Sequence, residues 1–177
     1  MVLEKSFVGE INADGWEWNQ CIDLSWEGVK NKVLPKMINY ERNESLLQGV
    51  PYIKFLDMAV VFYIPLNIGE GGIRSITVKN EHTDLWKVDI GDILMCAKKN
   101  AVYFLPESVY YMDDLIIQLV TEDKNKTDCF DDMLEHIGRN QNNRMLVLSN
   151  QKNIFGASCL IYDGVLQRIA ESMDSDL

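Results

Sequence analysis

The residues of this sequence best spaced to bind a cation lie between positions 131 and 136, which read DDMLEH. On a helix, Asp132, Glu135 and His136 stand at i, i+3 and i+4, so their tips converge on adjacent turns. Carboxylate and imidazole ligands arranged in this way can chelate a divalent metal ion. The spacing makes these three residues candidate metal ligands. A solvated acidic helix face is the alternative interpretation.

This block is not one of the known zinc-peptidase patterns, because those patterns place two histidines and a catalytic glutamate on one helix. The whole sequence contains two histidines, His82 and His136. A metal-dependent hydrolase would therefore need the cluster of Asp132, Glu135 and His136 with His82 nearby. That enzyme is one functional hypothesis for the chain.

His82 is the candidate for a catalytic base. It precedes Trp86 by four residues, which is helical spacing, and it follows a predicted strand. The pair could line a cleft at the end of a sheet, with a glutamate from another element orienting the imidazole. Neighbouring Glu81 points in a different direction on a helix and is unsuited to that task. The alternative is structural, with His82 stacked on Trp86 or capping the preceding strand.

Other catalytic motifs are missing from the sequence. The stretch Phe155–Cys159 reads FGASC and lacks the GxSxG nucleophile pattern. The glycine-rich turn Gly69–Gly72 lacks the lysine and hydroxyl residue of a phosphate-binding loop. No CxxC pair occurs, and Cys96 and Cys159 lie in apolar contexts that predict reduced core residues. We therefore predict no cofactor, apart from the candidate divalent metal.

Composition excludes several classes of function. The chain has 177 residues, of which 47% are hydrophobic, and a formal net charge of -10. A nucleic-acid binder normally carries a basic surface, whereas basic clusters such as Lys98 and Lys99 are short here. The longest apolar run, Met58–Leu66, is roughly half of a membrane span. The first twenty residues do not resemble a signal peptide, so a cytoplasmic location is expected.

Hydrophobic patterning predicts one α+β domain over residues 1–177, with the tryptophan-rich segment 1–24 at its periphery. The sheet is predicted to be antiparallel or mixed and built from two hairpins, with helices packed mainly on one face. The first hairpin joins Phe55–Leu66 to Ile73–Val78, and the second joins Met145–Leu148 to Ala157–Tyr162. Ala101–Leu105 is predicted to be extended. Helices are predicted from Trp26, with Ser25 as its cap, from Glu81 to Trp86, with Asn80 as its cap, and from Asp89, as a cap, to Asn100. Further helices are predicted from Asp113 or Asp114, over Asp128–Ile137 and over Gly164–Met173.

Three blocks carry a resemblance to a known family. Residues Ile38–Ile64 read INYERNESLLQGVPYIKFLDMAVVFYI, and the other two blocks are Ile76–Asn100 and Met145–Met173. In this order they resemble the signature of an uncharacterised bacterial family, a domain of unknown function. The resemblance implies a small cytoplasmic protein and assigns no catalytic role to any residue. The family pattern continues into a further apolar strand, so the C-terminus is expected to be truncated relative to the family.

Aromatic residues favour a binding role. Trp16, Trp18, Tyr52, Tyr110 and Tyr111 fall in segments that are not clearly core, and exposed aromatic side chains are enriched in protein interfaces. The alternative is that they fold over the chain's own core. We expect a non-catalytic domain that binds a protein or a small ligand and that can form homo-oligomers. We expect it to bind neither nucleic acid nor a membrane. The metal-dependent hydrolase is the competing hypothesis.

Overall fold

The larger sheet has four strands, and its central strand is the apolar stretch that the sequence marks as core. The computed structural model describes residues 23–69, 72–122 and 145–174. Strand β3 (Met58–Gly69) pairs on one side with β1 (Leu34–Asn39) and on the other with β2 (Tyr52–Phe55) and β4 (Gly72–Thr77). All three pairings are antiparallel. One long strand therefore organises the sheet.

The helices and a second, two-stranded sheet make up the rest of the described fold. Strands β5 and β6 pair with each other in an antiparallel arrangement. The predicted α+β class is confirmed, whereas helix packing mainly on one face stays a prediction. The elements are α1 (Trp26–Val29), a 3-10 turn (Glu41–Asn43), α2 (Glu44–Leu47), α3 (Asn80–Trp86), α4 (Ile90–Phe104), β5 (Glu107–Tyr111), α5 (Met112–Glu122), β6 (Leu146–Asn150), a 3-10 helix (Gly156–Ile161) and α6 (Val165–Asp174).

Strand β3 is buried on both faces, as its run of β-branched and aromatic residues predicts. Val60, Phe62 and Ile64 lie in a core cluster that includes residues of α4. Ala59 and Val61 lie in a different cluster, which includes a leucine of α2. Because alternate residues of a strand point to opposite faces, these two sets cover both sides of the sheet.

The first predicted hairpin is confirmed by the pairing of β3 with β4. Its predicted start at Phe55 is wrong, because Phe55 ends β2 and pairs with Met58, where β3 begins. The second, between Met145–Leu148 and Ala157–Tyr162, is wrong, because β6 pairs with β5 and Gly156–Ile161 is a 3-10 helix. Close packing explains the difference. A Cβ atom added at Gly156 would lie 2.7 Å from Ser149 Oγ, so this segment packs tightly against β6. Its Ser158 Oγ also accepts a hydrogen bond of 3.1 Å from the Met37 backbone N–H of β1.

Helix α4 is longer than the sequence indicated. The prediction of extended backbone over Ala101–Leu105 is wrong, because the helix continues to Phe104. Pro106 disfavours helical backbone only at the residue that precedes it, so the helix can reach Phe104. Leu105 leaves the helix with φ of -135° while its N–H still bonds to the Ala101 carbonyl at 2.8 Å.

The predicted caps at the starts of α1 and α4 are confirmed, whereas the predicted cap at Asn80 is wrong, because α3 begins at Asn80 and Lys79 is its cap residue. Ser25 Oγ accepts the Gly28 N–H at 3.2 Å, and an Asp89 carboxylate oxygen accepts the Gly91 N–H at 2.7 Å. These side chains satisfy backbone donors that a helix leaves unpaired at its start. The longer of the two helices has 15 residues. Within the described ranges, no helix combines the length and apolarity needed to cross a membrane.

Candidate functional site

Helix α4 presents a buried face and an exposed face, and the exposed face forms one wall of a groove. Its buried residues are Ile93, Ala97, Asn100 and Ala101. The opposite side keeps apolar side chains in solvent, with Met95 64% exposed and Val102 48% exposed. The residues of α4 that line the groove are Gly91, Leu94, Met95, Lys98, Lys99 and Val102.

The other wall comes from the start of α6, where Asp163 and Arg168 line the groove. Gly164 has φ of +71°, a backbone conformation that favours glycine. The Arg168 guanidinium folds back and donates a hydrogen bond of 3.0 Å to the Asp163 carbonyl. An ion pair between Lys98 and Asp163 joins the two walls. The groove they enclose is open and has a volume of about 730 Å³.

Positive charge is concentrated at the groove, although the chain is acidic. Lys98, Lys99 and Arg168 line it together with one carboxylate, Asp163, whereas the whole chain has a net charge of -10. Arg168 also pairs with Glu107 beside the groove. A hydrogen bond from its own backbone N–H, together with Arg168, holds the pKa of the Glu107 carboxyl below its usual value. The groove is therefore a locally cationic, partly apolar surface.

The chemistry of this groove suits binding. Among the described residues that line it, none is a histidine, cysteine or hydroxyl residue that could act as a base or nucleophile. Leucine, methionine and valine side chains offer apolar contact, and lysine and arginine offer donors to carboxylates. The arrangement can hold an apolar group with a carboxylate beside it.

His82, the candidate base, is packed into an aromatic cluster. Its ring stacks on Trp86 with 5.5 Å between centroids, and Trp86 contacts Trp26 at 5.6 Å. The His82 Nδ1 atom accepts the backbone N–H of Lys79 at 3.0 Å, which caps the start of α3. Burial and the Lys79 charge lower the pKa of His82, and Glu81 opposes them. The structural interpretation of His82 is thus what the contacts show, and a base role through Nε2 stays a prediction.

The predicted metal ligands Asp132, Glu135 and His136 lie outside the described residues, so a metal site formed by them stays a prediction. Within residues 23–69, 72–122 and 145–174, no three His, Cys, Asp or Glu side chains are grouped as metal ligands. The hydrolase hypothesis consequently gains no support from the described fold.

Cys159 is a buried thiol, as predicted, and it lies in a core cluster that also contains Tyr63 and Tyr162. Its Sγ donates to the Ser149 carbonyl at 3.1 Å, and burial raises the pKa of the thiol. A protonated, buried thiol is a poor nucleophile. In the same cluster, the Tyr162 hydroxyl donates to the Leu105 carbonyl at 3.1 Å. The Tyr63 hydroxyl is buried without a hydrogen-bond partner among the described residues.

Of the aromatic residues proposed for contacts, three lie in the described part and are half-buried. Tyr52 packs against Tyr40 with 5.9 Å between ring centroids. Tyr110 and Tyr111 lie in β5, the strand that pairs with β6. Trp16 and Trp18 lie outside the described residues. These three tyrosines are therefore not among the most exposed apolar side chains of the described part, whereas Tyr103 on α4 is 80% exposed.

Comparison with known proteins identifies the family. Residues 10–177 match the model of a family described as "Family of unknown function (DUF5688)". The chain belongs to DUF5688. No curated protein and no solved structure matches it. The family resemblance that the sequence suggested is thereby confirmed as membership of a family of unknown function.

The sequence alone did not reveal the groove of this DUF5688 chain. The sequence does indicate the α4 wall, because the spacing of positions 91, 94, 95, 98 and 102 places them on one face of a helix. Lys98 and Lys99 form only a short cluster in the sequence, a pattern typical of solvated surface lysines. Leu94 is half-buried and lines the groove. Arg168 had no local signal, because it reaches the groove only through the fold.

Proposed function

We propose that this DUF5688 domain is a non-catalytic binding domain. Its α4 groove holds an apolar segment that carries carboxylates and is presented by a protein chain. The observation that carries the proposal is the exposed apolar stripe of Met95 and Val102 with Lys99 between them. The proposal names the chemistry of the bound segment as well as the surface that binds it.

The exposed apolar side chains of α4 support the binding of an apolar segment. Methionine is a flexible and polarisable side chain, and such side chains are common on surfaces that adapt to a partner. Met95 and Val102 lie two turns apart on the same face of a well-anchored helix, and Leu94 continues the stripe toward the core. Covering Met95 and Val102 would remove apolar area from water, which stabilises a complex.

The positive charge at the groove, which contrasts with the negative net charge of the chain, supports the binding of an acidic segment. Lys98 and Arg168 neutralise Asp163 and Glu107 in ion pairs. Lys99 is exposed and adds a positive charge to the groove. An acidic segment would meet attraction here and repulsion over most of the remaining surface, because the chain carries a net charge of -10. Such a contrast favours one docking position and depends on ionic strength.

The size of the groove sets the expected affinity. A volume of about 730 Å³ accommodates a few side chains of a segment rather than a large flat interface. Small contacts of this kind belong to weak, transient complexes. We therefore expect a dissociation constant on the order of 10–100 µM at moderate salt.

Fluorescence anisotropy with a designed probe tests the proposal. The probe is a labelled helical peptide of about 15 residues, with leucines along one face and glutamates elsewhere. We expect saturable binding that weakens as salt rises. Lys99→Glu should weaken it about fivefold, since it replaces an attraction by a repulsion. Met95→Glu should abolish it by placing an unpaired charge in the apolar stripe.

Matched controls make the result decisive. The control peptide has the same leucines and carries lysine in place of glutamate, and it should bind much more weakly. The control variant is Leu85→Glu, because Leu85 is 77% exposed and lies on α3, away from the groove lining. Equal binding of both peptides, or equal loss in Leu85→Glu and Met95→Glu, would overturn the proposal.

A further inference from the structure

The tip of the hairpin between β2 and β3 exposes a leucine in a backbone conformation that leucine disfavours. Phe55 pairs with Met58, which leaves Leu56 and Asp57 as a two-residue turn. Leu56 has φ of +55°, the region normally occupied by glycine, asparagine or aspartate. Its side chain is 80% exposed, and that of Phe55 is 37% exposed. Local turn chemistry therefore does not explain why a large apolar residue occupies this position.

The same tip carries carboxylates and is held in place by the neighbouring segment. The Asp57 carbonyl accepts the Tyr40 N–H at 2.9 Å, which braces the turn against the start of the 3-10 turn Glu41–Asn43. Asp57 and Glu41 are exposed. The Lys54 ammonium lies over the Tyr40 ring at 4.2 Å and so packs along the hairpin. The tip consequently presents an exposed apolar side chain beside a carboxylate on a braced backbone.

We propose that the Phe55–Asp57 tip of a second copy of this chain occupies the α4 groove. The proposal rests on the proposed function, because it names a source for the apolar, acidic segment that the groove binds. Leu56 inserts against Met95 and Val102 of the other copy, and Asp57 lies toward Lys99. The two surfaces are complementary in both polarity and charge.

The contact joins two different surfaces, and its size predicts weak association. A hairpin tip in a groove buries much less than the area of a stable dimer interface, which is about 1,600 Å². Association is therefore expected only at high protein concentration. Because a tip on one copy meets a groove on another, each copy also keeps the complementary surface for a further contact.

Sedimentation velocity over about 10 µM to 1 mM protein tests this assembly. The wild-type chain should show a concentration-dependent rise in average mass. Leu56→Asp, which disables the tip, and Met95→Glu, which disables the groove, should each remain monomeric. An equimolar mixture of the two variants should regain association, because each variant supplies the surface that the other lacks. Leu85→Asp should associate as the wild type does.

The outcomes separate this inference from the proposed function. A wild-type chain that stays monomeric at about 1 mM, or a mixture of variants that does not associate, would overturn the inference. The acidic probe peptide is then the separate test of the groove itself. If wild type binds the peptide without self-associating, only the second-copy inference fails. If Leu56→Asp self-associates normally, the tip is not the occupant. Melting curves check that each variant is folded. We expect both variants to fold, because Leu56 and Met95 are exposed.

Discussion

The Asn100 Nδ2 atom lies 2.9 Å from the backbone carbonyl oxygen of Val33, a residue 67 positions earlier in the chain. The same amide also donates to the Lys30 carbonyl at 2.9 Å. Asn100 is 8% exposed and lies on the buried side of α4. Its two bonds tie α4 to the connection between α1 and β1, and this fixes which side of α4 faces solvent. The groove thus depends on a buried polar residue on the far side of its own helix.

We expect Asn100→Ala to lower the free energy of unfolding by about 1–3 kcal/mol, because one buried and one partly buried carbonyl lose their donor. Chemical denaturation measures the change. Lys99→Ala, at the adjacent exposed position, is the control and should change stability by less than about 0.5 kcal/mol. Equal effects of the two substitutions would show that the amide does not anchor the helix.

Removing the hydroxyl groups of two buried tyrosines should change the free energy of unfolding in opposite directions. Tyr63 is 3% exposed, and its hydroxyl has no partner among the described residues. Tyr63→Phe should therefore raise the free energy of unfolding by about 1 kcal/mol, because an unpaired buried hydroxyl is costly. Tyr162→Phe should lower it by about 1 kcal/mol, because the bond to Leu105 is lost. A loss of stability in Tyr63→Phe would reveal a partner for that hydroxyl.

The strained turn gives a second matched pair of variants. Leu56→Gly should raise the free energy of unfolding by about 0.5–1 kcal/mol, because glycine adopts positive φ without steric cost. Leu85→Gly should lower it by up to a similar amount, because Leu85 lies in the last turn of α3 and glycine has a lower helix propensity than leucine. Leu56 and Leu85 are 80% and 77% exposed, so loss of packing contributes little in either case. Destabilisation by both substitutions would contradict the strained conformation of Leu56.

His82 should make stability fall in mildly acidic solution. Burial lowers the pKa of His82 below the ordinary histidine value of about 6.5. The neutral imidazole is therefore favoured in the folded state. Its contribution to the free energy of unfolding is complete above about pH 6.5. It is lost as the pH falls toward the lower folded-state pKa. Protonation of Nδ1 would also break the bond from the Lys79 N–H.

Unfolding measured between about pH 7.5 and pH 5 tests this dependence. His82→Gln retains an acceptor for the helix cap and does not titrate, so its stability should fall less than that of the wild type. His136→Gln, which alters the other histidine, should keep the contribution of His82. Identical pH profiles for wild type and His82→Gln would contradict the prediction.

The elements that the sequence predicted well are those specified by local signals. Val60 to Tyr63 form an apolar run without alternation, and β3 is buried on both faces as that pattern implies. Ser25 and Asp89 are good capping residues, and each accepts a backbone N–H at a helix start. Local chemistry alone was sufficient at these positions.

The elements predicted wrongly depend on distant contacts. The apolar run of Gly156–Ile161 fits a strand or a helix equally well by periodicity. Its conformation is set by tight packing of Gly156 on Ser149 and by the Ser158 bond to Met37, 121 residues away. β6 likewise pairs with β5 rather than with the next apolar segment. Neither contact has a signature within the segment.

The candidate site shows the same division. The helical spacing of Leu94, Met95 and Val102 is visible in the sequence, so one wall of the groove was open to prediction. The other wall was not, because Asp163 meets Lys98 across 65 residues and through an unpredicted turn. Exposure of Leu56 could not be predicted either, since a turn at that position normally takes a glycine or asparagine.

The most direct test of the groove is to map the acidic probe peptide on the amide nitrogen–proton spectrum of the isotopically labelled protein. Binding in the groove should shift the amide signals of Gly91, Met95, Lys99, Val102 and Arg168, and the shifts should disappear in Met95→Glu. Shifts confined to other surfaces, such as the aromatic cluster around Trp86, would contradict the account. A spectrum that does not change at saturating peptide would contradict it as well.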